Sequence, residues 1–374
     1  MRYYIIAGEA SGDLHGSNLI RELRQLDTAA EIRAWGGDQM QAAGANIVKH
    51  YRDLAFMGFA EVVMNLRTIF RNLAFCKKDI LDYKPDTLVL IDYPGFNLRI
   101  AEWAHQQGIK VLYYISPQVW AWKENRVRKM KQHIGKMLVI LPFEKPYFRD
   151  KWNWEVEYTG HPLTEVVNKA LVDPRYDPAR LNLPLGKDVI ALLPGSRKQE
   201  ILKKLPVMLE VSKEFPDYQF VVARAPGLED SFYATLLQPY PNVLAVSAET
   251  YTLLRIARAA LVTSGTATLE TALFGVPEVV CYIGNPISYA IAKRIITIKY
   301  ISLVNLIMDK PVVTELIQHD FTVARAKAEL EQLLNNGVKQ KQIREDYAAL
   351  KSLLEQGGHA SRTAAEAVYR FVTA

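Results

Sequence analysis

One module constrains this chain more than any other feature: an apolar run, a turn with glycine or proline, then a helical stretch, repeated along the sequence. Thr87–Asp92 (TLVLID) and Asp188–Leu193 (DVIALL) are apolar without alternation, as strands buried on both faces of a parallel sheet are. Tyr3–Ala7, Lys110–Ile115, Met137–Leu141 and Glu155–Thr159 extend the pattern through the first half. Phe220–Ala223, Val243–Val246, Ala260–Thr263 and Val279–Ile283 extend it through the second. Helical periodicity falls between them, at Leu14–Leu26, Leu98–Gln107, a basic stretch near Lys123–His133, and 198–214. The pattern pauses at Gly160-His161-Pro162 and reads as irregular through Pro174, Pro178 and Pro184, which suits a linker. The expected architecture is α/β, with two tandem doubly wound units and a ligand cleft between them. The expected boundaries are 1–163 and 164–350, with a closing helix in 351–374 that packs on the first unit or on a partner subunit. A length of 374 residues accommodates two such units.

Composition removes several classes. With 49% hydrophobic and 23% charged residues the chain can bury large cores and is not disordered. A net charge of +6 permits an anionic partner without naming one. Two cysteines, Cys76 and Cys281, support neither a disulfide framework nor a four-ligand zinc site. H-E-x-x-H, C-x-x-C and D-x-D are absent from the sequence, so no metal is expected, and no cofactor fingerprint is present either. The opening MRYYIIAGEASGD has no basic-then-apolar leader, and no apolar run reaches the ~20 residues of a membrane span. The expectation is a cytoplasmic protein without a transmembrane helix.

Four turns could carry chemistry. In LLPGSRKQEI (192–201), Gly195 allows close backbone approach, Ser196 can cap a helix and Arg197 projects at its start, which together would suit a diphosphate. TSGTATLE (263–270) repeats that construction: Ser264 and Gly265 follow a strand and Thr266 can cap the next helix. Glu270 lies one turn in, where a carboxylate could accept ribose hydroxyls. GEASGD (8–13) is not G-x-G-x-x-G, and it places Glu9, Ser11 and Asp13 either against a sugar or in a plain turn. IDYPGFNLR (91–99) ends a buried strand on Asp92, a general-base candidate, with Asn97 suited to cap the following helix. Each of these also has a bland reading as an ordinary capped turn.

Two segments speak to a surface. Met57–Lys78 has more apolar positions than one core face needs, together with Arg67, Arg71, Lys77 and Lys78. It reads as a core helix or as an element resting on an anionic bilayer. Trp120–Lys136 mixes Trp120 and Trp122 with six Lys and Arg residues; an anionic lipid or phosphorylated acceptor explains these better than nucleic acid, for which no module is present.

GEASGD, FMGFAEV (56–62), IDYPGFNLR, YYISPQVWAW (113–122), LPFE (141–144), GHPL (160–163), LLPGSR and SGTATLE occur together and in order. Over nearly its whole length the chain resembles the lipid-A-disaccharide synthases. The resemblance implies a GT-B glycosyltransferase, that is, two Rossmann-like domains with an interdomain cleft. It also implies joining of UDP-2,3-diacylglucosamine to 2,3-diacylglucosamine 1-phosphate (lipid X) with inversion, at the cytoplasmic face of a Gram-negative inner membrane. On the resemblance Asp92 is the base or positions the acceptor hydroxyl, and Arg197 stabilises the departing UDP. Glu270 holds the ribose, Ser196, Ser264, Gly265 and Thr266 lie near the diphosphate, and Asn305 of SLVNLI lines the donor site. Val304 stands where the family has Pro, and Gly95 where several relatives have Asp. Exchange of C-terminal segments, and so a homodimer, is expected. The rival readings are another UDP-sugar enzyme of this outline, such as a UDP-N-acetylglucosamine 2-epimerase or a peptidoglycan-type transferase, and a non-catalytic binder of UDP-sugar or lipid.

Overall fold

A computed structural model describes residues 1–54, 66–184, 186–285, 289 and 298–374. They divide into two units, Met1–Pro162 with Leu354–Ala374, and Leu163–Leu353.

The first unit is built on a parallel sheet of seven strands: β1 (Arg2–Ala7), β2 (Glu31–Gly36), β3 (Asn46–His50), β4 (Thr87–Ile91), β5 (Val111–Tyr114), β6 (Lys136–Val139) and β7 (Glu157–Tyr158). Their spatial order is β3-β2-β1-β4-β5-β6-β7. The apolar runs have the expected cause. Tyr4 and Ile6 of β1 and Leu88 and Leu90 of β4 enter one core. Tyr3, Ile5 and Ala7 and Val89 and Ile91 enter the core on the other face. Because both faces are covered, alternation would have left polar groups in one core.

The final helix, Ala360–Thr373, belongs to this second core: Ala364, Ala365, Ala367 and Val368 cluster with Leu19, Ile20 and Leu23 of the helix Ala10–Leu26. Its approach is set by glycines. A Cβ on Gly357 would lie 2.0 Å from the Gly160 nitrogen, while Gly160 and Gly358 hold φ of 84° and 77°.

The second unit carries six parallel strands: β8 (Val189–Leu193), β9 (Gln219–Arg224), β10 (Val243–Ser247), β11 (Ala257–Thr263), β12 (Glu278–Tyr282) and β13 (Thr314–Ile317). Their order is β10-β9-β8-β11-β12-β13.

Three local readings are corrected, and a fourth lies partly outside the described residues. β2, β3 and β13 are strands that the sequence pattern did not announce. The supposed irregular linker contains an 11-residue helix, Pro162–Val172, whose proline occupies the first turn, where its missing N–H costs nothing. The basic stretch near Lys123–His133 is a short 3-10 turn, Glu124–Arg126, followed by the helix Val127–His133. Of Met57–Lys78, residues 57–65 lie outside the described residues; the rest opens the helix Leu66–Tyr83.

No helix among the described residues is long and apolar enough to cross a membrane.

Candidate functional site

In each sheet the chain winds outward one way from a central strand, then returns to wind the other way. The strand order therefore reverses between β1 and β4 in the first unit, and between β8 and β11 in the second. In doubly wound sheets, ligands bind beyond the carboxyl ends of strands at such switch points. The loops after these four strands are 8–9, 92–93, 194–197 and 264–265, each running straight into a helix, and they lie within the four turns singled out in the sequence.

In the first unit, Asp92 and Tyr93 both take left-handed backbone angles, φ 45° and 50°, before Pro94 starts the helix Pro94–Gln106. Non-glycine residues adopt this region only when their surroundings hold them there. The restraint is visible. Asp92 N–H donates to the Tyr114 carbonyl at 3.1 Å. Its carbonyl accepts from Asn97 Nδ2 at 2.7 Å and from the Tyr113 hydroxyl at 2.5 Å. Asn97, fully buried, also donates to the Ile91 carbonyl at 3.2 Å, so it pins this corner from within the helix and is not the helix cap. The cap position belongs to Tyr93, whose ring lies over Gly8; a Cβ on Gly8 would lie 2.3 Å from that ring.

With its main chain fixed, Asp92 keeps a half-buried carboxylate. Burial first, then the negative charge of Glu9, push its pKa up to about 6, and the Tyr93 N–H offsets part of this. Glu9 and Ser11 are exposed beside it at the start of the first helix.

Asp13 does not face this site. Its buried carboxylate accepts from the N–H groups of Gly37 at 2.7 Å, Met40 at 3.0 Å and Gln39 at 3.1 Å. It caps the short helix Asp38–Ala42, and the expectation of a ligand contact there is withdrawn.

Glu144 sits in the LPFE motif, where nothing local assigned it a role. It is fully buried, accepts from Trp120 Nε1 at 3.2 Å and from the Leu141 N–H at 3.0 Å, and burial raises its pKa to about 7. It ties the segment 116–122 to the turn at 141–144. His161 is buried, and burial lowers its pKa to about 3.

In the second unit, β8 and β11 are neighbours, so the turns that follow them lie side by side. A Cβ on Gly195 would lie 3.6 Å from Thr263. Gly195 has φ 118° and Gly265 φ 151°, values open to glycine. Each turn opens a helix, Lys198–Ser212 or Thr266–Leu273, whose first N–H groups have no acceptor within the helix.

Two capping expectations fail. The cap residues are Arg197 and Gly265, and neither Ser196 nor Thr266 caps through its side chain. Ser196 and Thr266 are exposed at the helix starts instead. The Arg197 side chain is 62% exposed and only loosely paired, at 3.7 Å, with Glu200. Glu270 is half-buried and accepts from the Tyr251 hydroxyl at 2.8 Å; burial raises its pKa and this bond lowers it. Tyr251 is in turn packed against Tyr176 and Phe274.

Asn305 is corrected as well. It is 1% exposed, its Nδ2 donates to the Val313 carbonyl and to Glu315, and its Oδ1 accepts from the Val313 N–H. Glu315, which no sequence motif singled out, also accepts from the N–H groups of Ile301 and Ser302 and from the Ser302 hydroxyl. Ser264 Oγ donates to the Ile301 carbonyl at 2.9 Å. Asn305 and Glu315 therefore hold the backbone whose Ile301 carbonyl accepts from Ser264 Oγ.

Among the described residues no group of three or more His, Cys, Asp and Glu side chains could hold a metal ion.

Comparison with known proteins gives a consistent result. A family model described as lipid-A-disaccharide synthetase matches residues 3–369. A lipid-A-disaccharide synthase of Geobacter metallireducens is 38% identical over 368 residues, covering 97% of this chain and 95% of that protein. One from Coxiella burnetii is 36% identical over 372 residues, covering 98% of each. Among solved structures, a UDP-GlcNAc 2-epimerase from Neisseria meningitidis superposes with a TM-score of 0.67 at 14% identity, covering 99% of both chains. A calicheamicin glycosyltransferase gives 0.64 at 18%, covering 100% of this chain and 98% of its own. At these identities the two structures speak to the fold alone, which is the GT-B fold.

Proposed function

The chain belongs to the lipid-A-disaccharide synthase family, and from that premise we propose that it joins UDP-2,3-diacylglucosamine to 2,3-diacylglucosamine 1-phosphate with inversion at the donor carbon. The products are UDP and the β(1→6) disaccharide 1-phosphate. The observation that carries the chemistry is Asp92: a carboxylate at a switch point, its main chain pinned by Asn97 and Tyr113, its pKa raised to about 6. Such a group is ionised at neutral pH yet basic enough to accept a proton as it is released.

The acceptor 6-hydroxyl attacks the anomeric carbon while its proton passes to Asp92. The bond from that carbon to the UDP oxygen breaks, and its electron pair leaves with the diphosphate. Negative charge grows where the two helix N-termini and the Arg197 guanidinium of the second unit offer positive potential. Ser196, Ser264, Gly265 and Thr266 frame that diphosphate. Glu270, oriented by Tyr251, receives the ribose hydroxyls.

Both substrates are acylated, and the helix Leu66–Tyr83 supports a membrane-facing role for the first unit. Leu73, Cys76 and Ile80 fill its core face. Phe70 and Phe75 stay 65% and 46% exposed beside Arg67, Arg71 and Lys78. The proposal includes peripheral attachment at the cytoplasmic face of the inner membrane and a homodimer, the latter read by sedimentation.

The test is product formation by purified protein with both substrates in detergent micelles containing EDTA. UDP and a β-linked disaccharide in equal amounts support the reading, whereas UDP-sugar turnover without the acylated acceptor would favour an epimerase or hydrolase.

A further inference from the structure

A groove of about 390 Å³ runs between the helices Pro94–Gln106 and Val127–His133 of the first unit. Of its lining residues Gly95 is exposed and Pro94 and Arg126 are half-buried, which makes this end its mouth. Pro94 is two residues from Asp92, so the groove begins at the proposed acceptor corner. Deeper in, its walls are Leu98, Ala101, Met130 and Ile134, all apolar. Its rim bears the cations Arg99 and Lys129 and one acid, Glu102, which Lys129 engages at 3.5 Å; His133 lines the same rim. An apolar trough under a cationic rim complements an anionic amphiphile.

The mouth holds a second observation. Lys123 Nζ lies 4.0 Å from the ring centre of exposed Trp122, and the Arg126 guanidinium lies 5.9 Å from the same ring. Burial first, then the charge of Arg126, lowers the pKa of Lys123. Among the described residues no carboxylate pairs with either, because the nearby Glu124 is taken by Lys151 and Tyr147. Two like charges held together without a counter-ion are destabilising, and an anion placed between them removes the penalty. The charge of Arg126 is also felt at the buried Tyr113 hydroxyl, which donates to the Asp92 main-chain carbonyl.

We infer that this groove is the acceptor's lipid subsite: one acyl chain of the 2,3-diacylglucosamine 1-phosphate lies between the two helices, and its phosphate sits on Lys123 and Arg126. The inference rests on the transferase reading and adds to it the place where the acceptor is held. Gly95 keeps the mouth open. It is exposed, it has no strained φ, and a Cβ there would meet nothing within 4 Å. A large side chain at 95 can therefore be accommodated by the fold while it blocks the groove.

The test is equilibrium binding of 2,3-diacylglucosamine 1-phosphate, below its micellar concentration, to wild type, Gly95→Trp and Arg126→Ala, each checked for an intact melting transition. Gly95→Trp is expected to weaken binding at least ~10-fold and to flatten the preference for long over short acyl chains. Arg126→Ala is expected to weaken binding ~10- to 100-fold, and to do so only when the 1-phosphate is present. Acceptor binding in both variants equal to wild type overturns the inference, as does a wild type that fails to bind this lipid. Failure of the transferase reading looks different: the wild type would bind the acceptor, with both variants impaired, yet form no disaccharide.

Discussion

The raised pKa of Asp92 makes a prediction that a single neighbour can move. The displacement from 3.8 to about 6 has burial as its larger cause and the charge of Glu9 as its smaller. Replacing Glu9 by Gln removes a like charge, favours the Asp92 carboxylate and lowers its pKa. Since Glu9 is the lesser cause, the drop is roughly 0.3 to 1 pH unit. The assay is the pH profile of kcat/KM for the acceptor. In wild type the acidic limb should turn near pH 6, leaving about a tenth of the plateau at pH 5. In Glu9→Gln the limb moves toward lower pH, and the fraction left at pH 5 rises about two- to fivefold.

Stability runs the opposite way. Between pH 3.8 and about 6 the folded protein holds a proton that the unfolded chain has released. This group's contribution to stability is therefore lost as pH rises through that window. Asp92→Asn should then be more stable than wild type at pH 7.5, by about 1–2 kcal/mol after allowance for solvent screening, and no more stable below pH 4. A kinetic limb near pH 4, or a Glu9→Gln profile shifted upward, would refute the electrostatic reasoning.

Arg197→Ala should raise the KM for the UDP-sugar ~10- to 100-fold, the worth of a charge-assisted bond to a diphosphate, with little change in the melting temperature because that side chain is largely exposed. Gly357→Ala should cost about 3 kcal/mol or more in chemical denaturation, since its Cβ would lie 2.0 Å from backbone that cannot yield, whereas Gly337→Ala, with open space around it, should be near neutral. Phe70→Ser with Phe75→Ser should reduce co-sedimentation with anionic liposomes by ~10-fold or more, given two exposed aromatic side chains that would otherwise enter the interface; unchanged sedimentation of the folded variant would remove this helix from the membrane account.

The parts of the fold legible in the sequence are those that physics over-determines. Runs such as Leu88–Ile91 (LVLI) and VIALL must be apolar at every position because cores lie on both faces, and a half-solvated strand would alternate instead. β3 (NIVKH) and β13 (TELI) sit at sheet edges, half exposed, where polar residues are tolerated and the signal fades. β2 (EIRAWG) hides for another reason: Arg33 points out of the core to meet Asp79 at 2.6 Å, a partner 46 residues away that local reading does not supply.

The site shows the same division. The four turns are legible because glycine and proline at a strand end have a local cause. The roles of polar residues are not, since a buried Asp or Asn serves equally to meet a ligand or to satisfy backbone. Asp13, Asn97 and Asn305 proved to do the second, with partners 24, 91 and 8 residues distant. Glu144 had no distinguishing local signal beyond its motif, because its burial against Trp120 is a tertiary fact.

The measurement that bears most directly on the central claim is single-turnover transfer by Asp92→Asn, with donor and acceptor affinities determined separately on the same preparation. Both substrates should still bind within a few-fold of wild type while the transfer step slows by ~10²- to 10⁴-fold, the range for removal of a general base. Transfer at the wild-type rate would contradict the role given to Asp92, and would leave the proton of the acceptor hydroxyl to some other group.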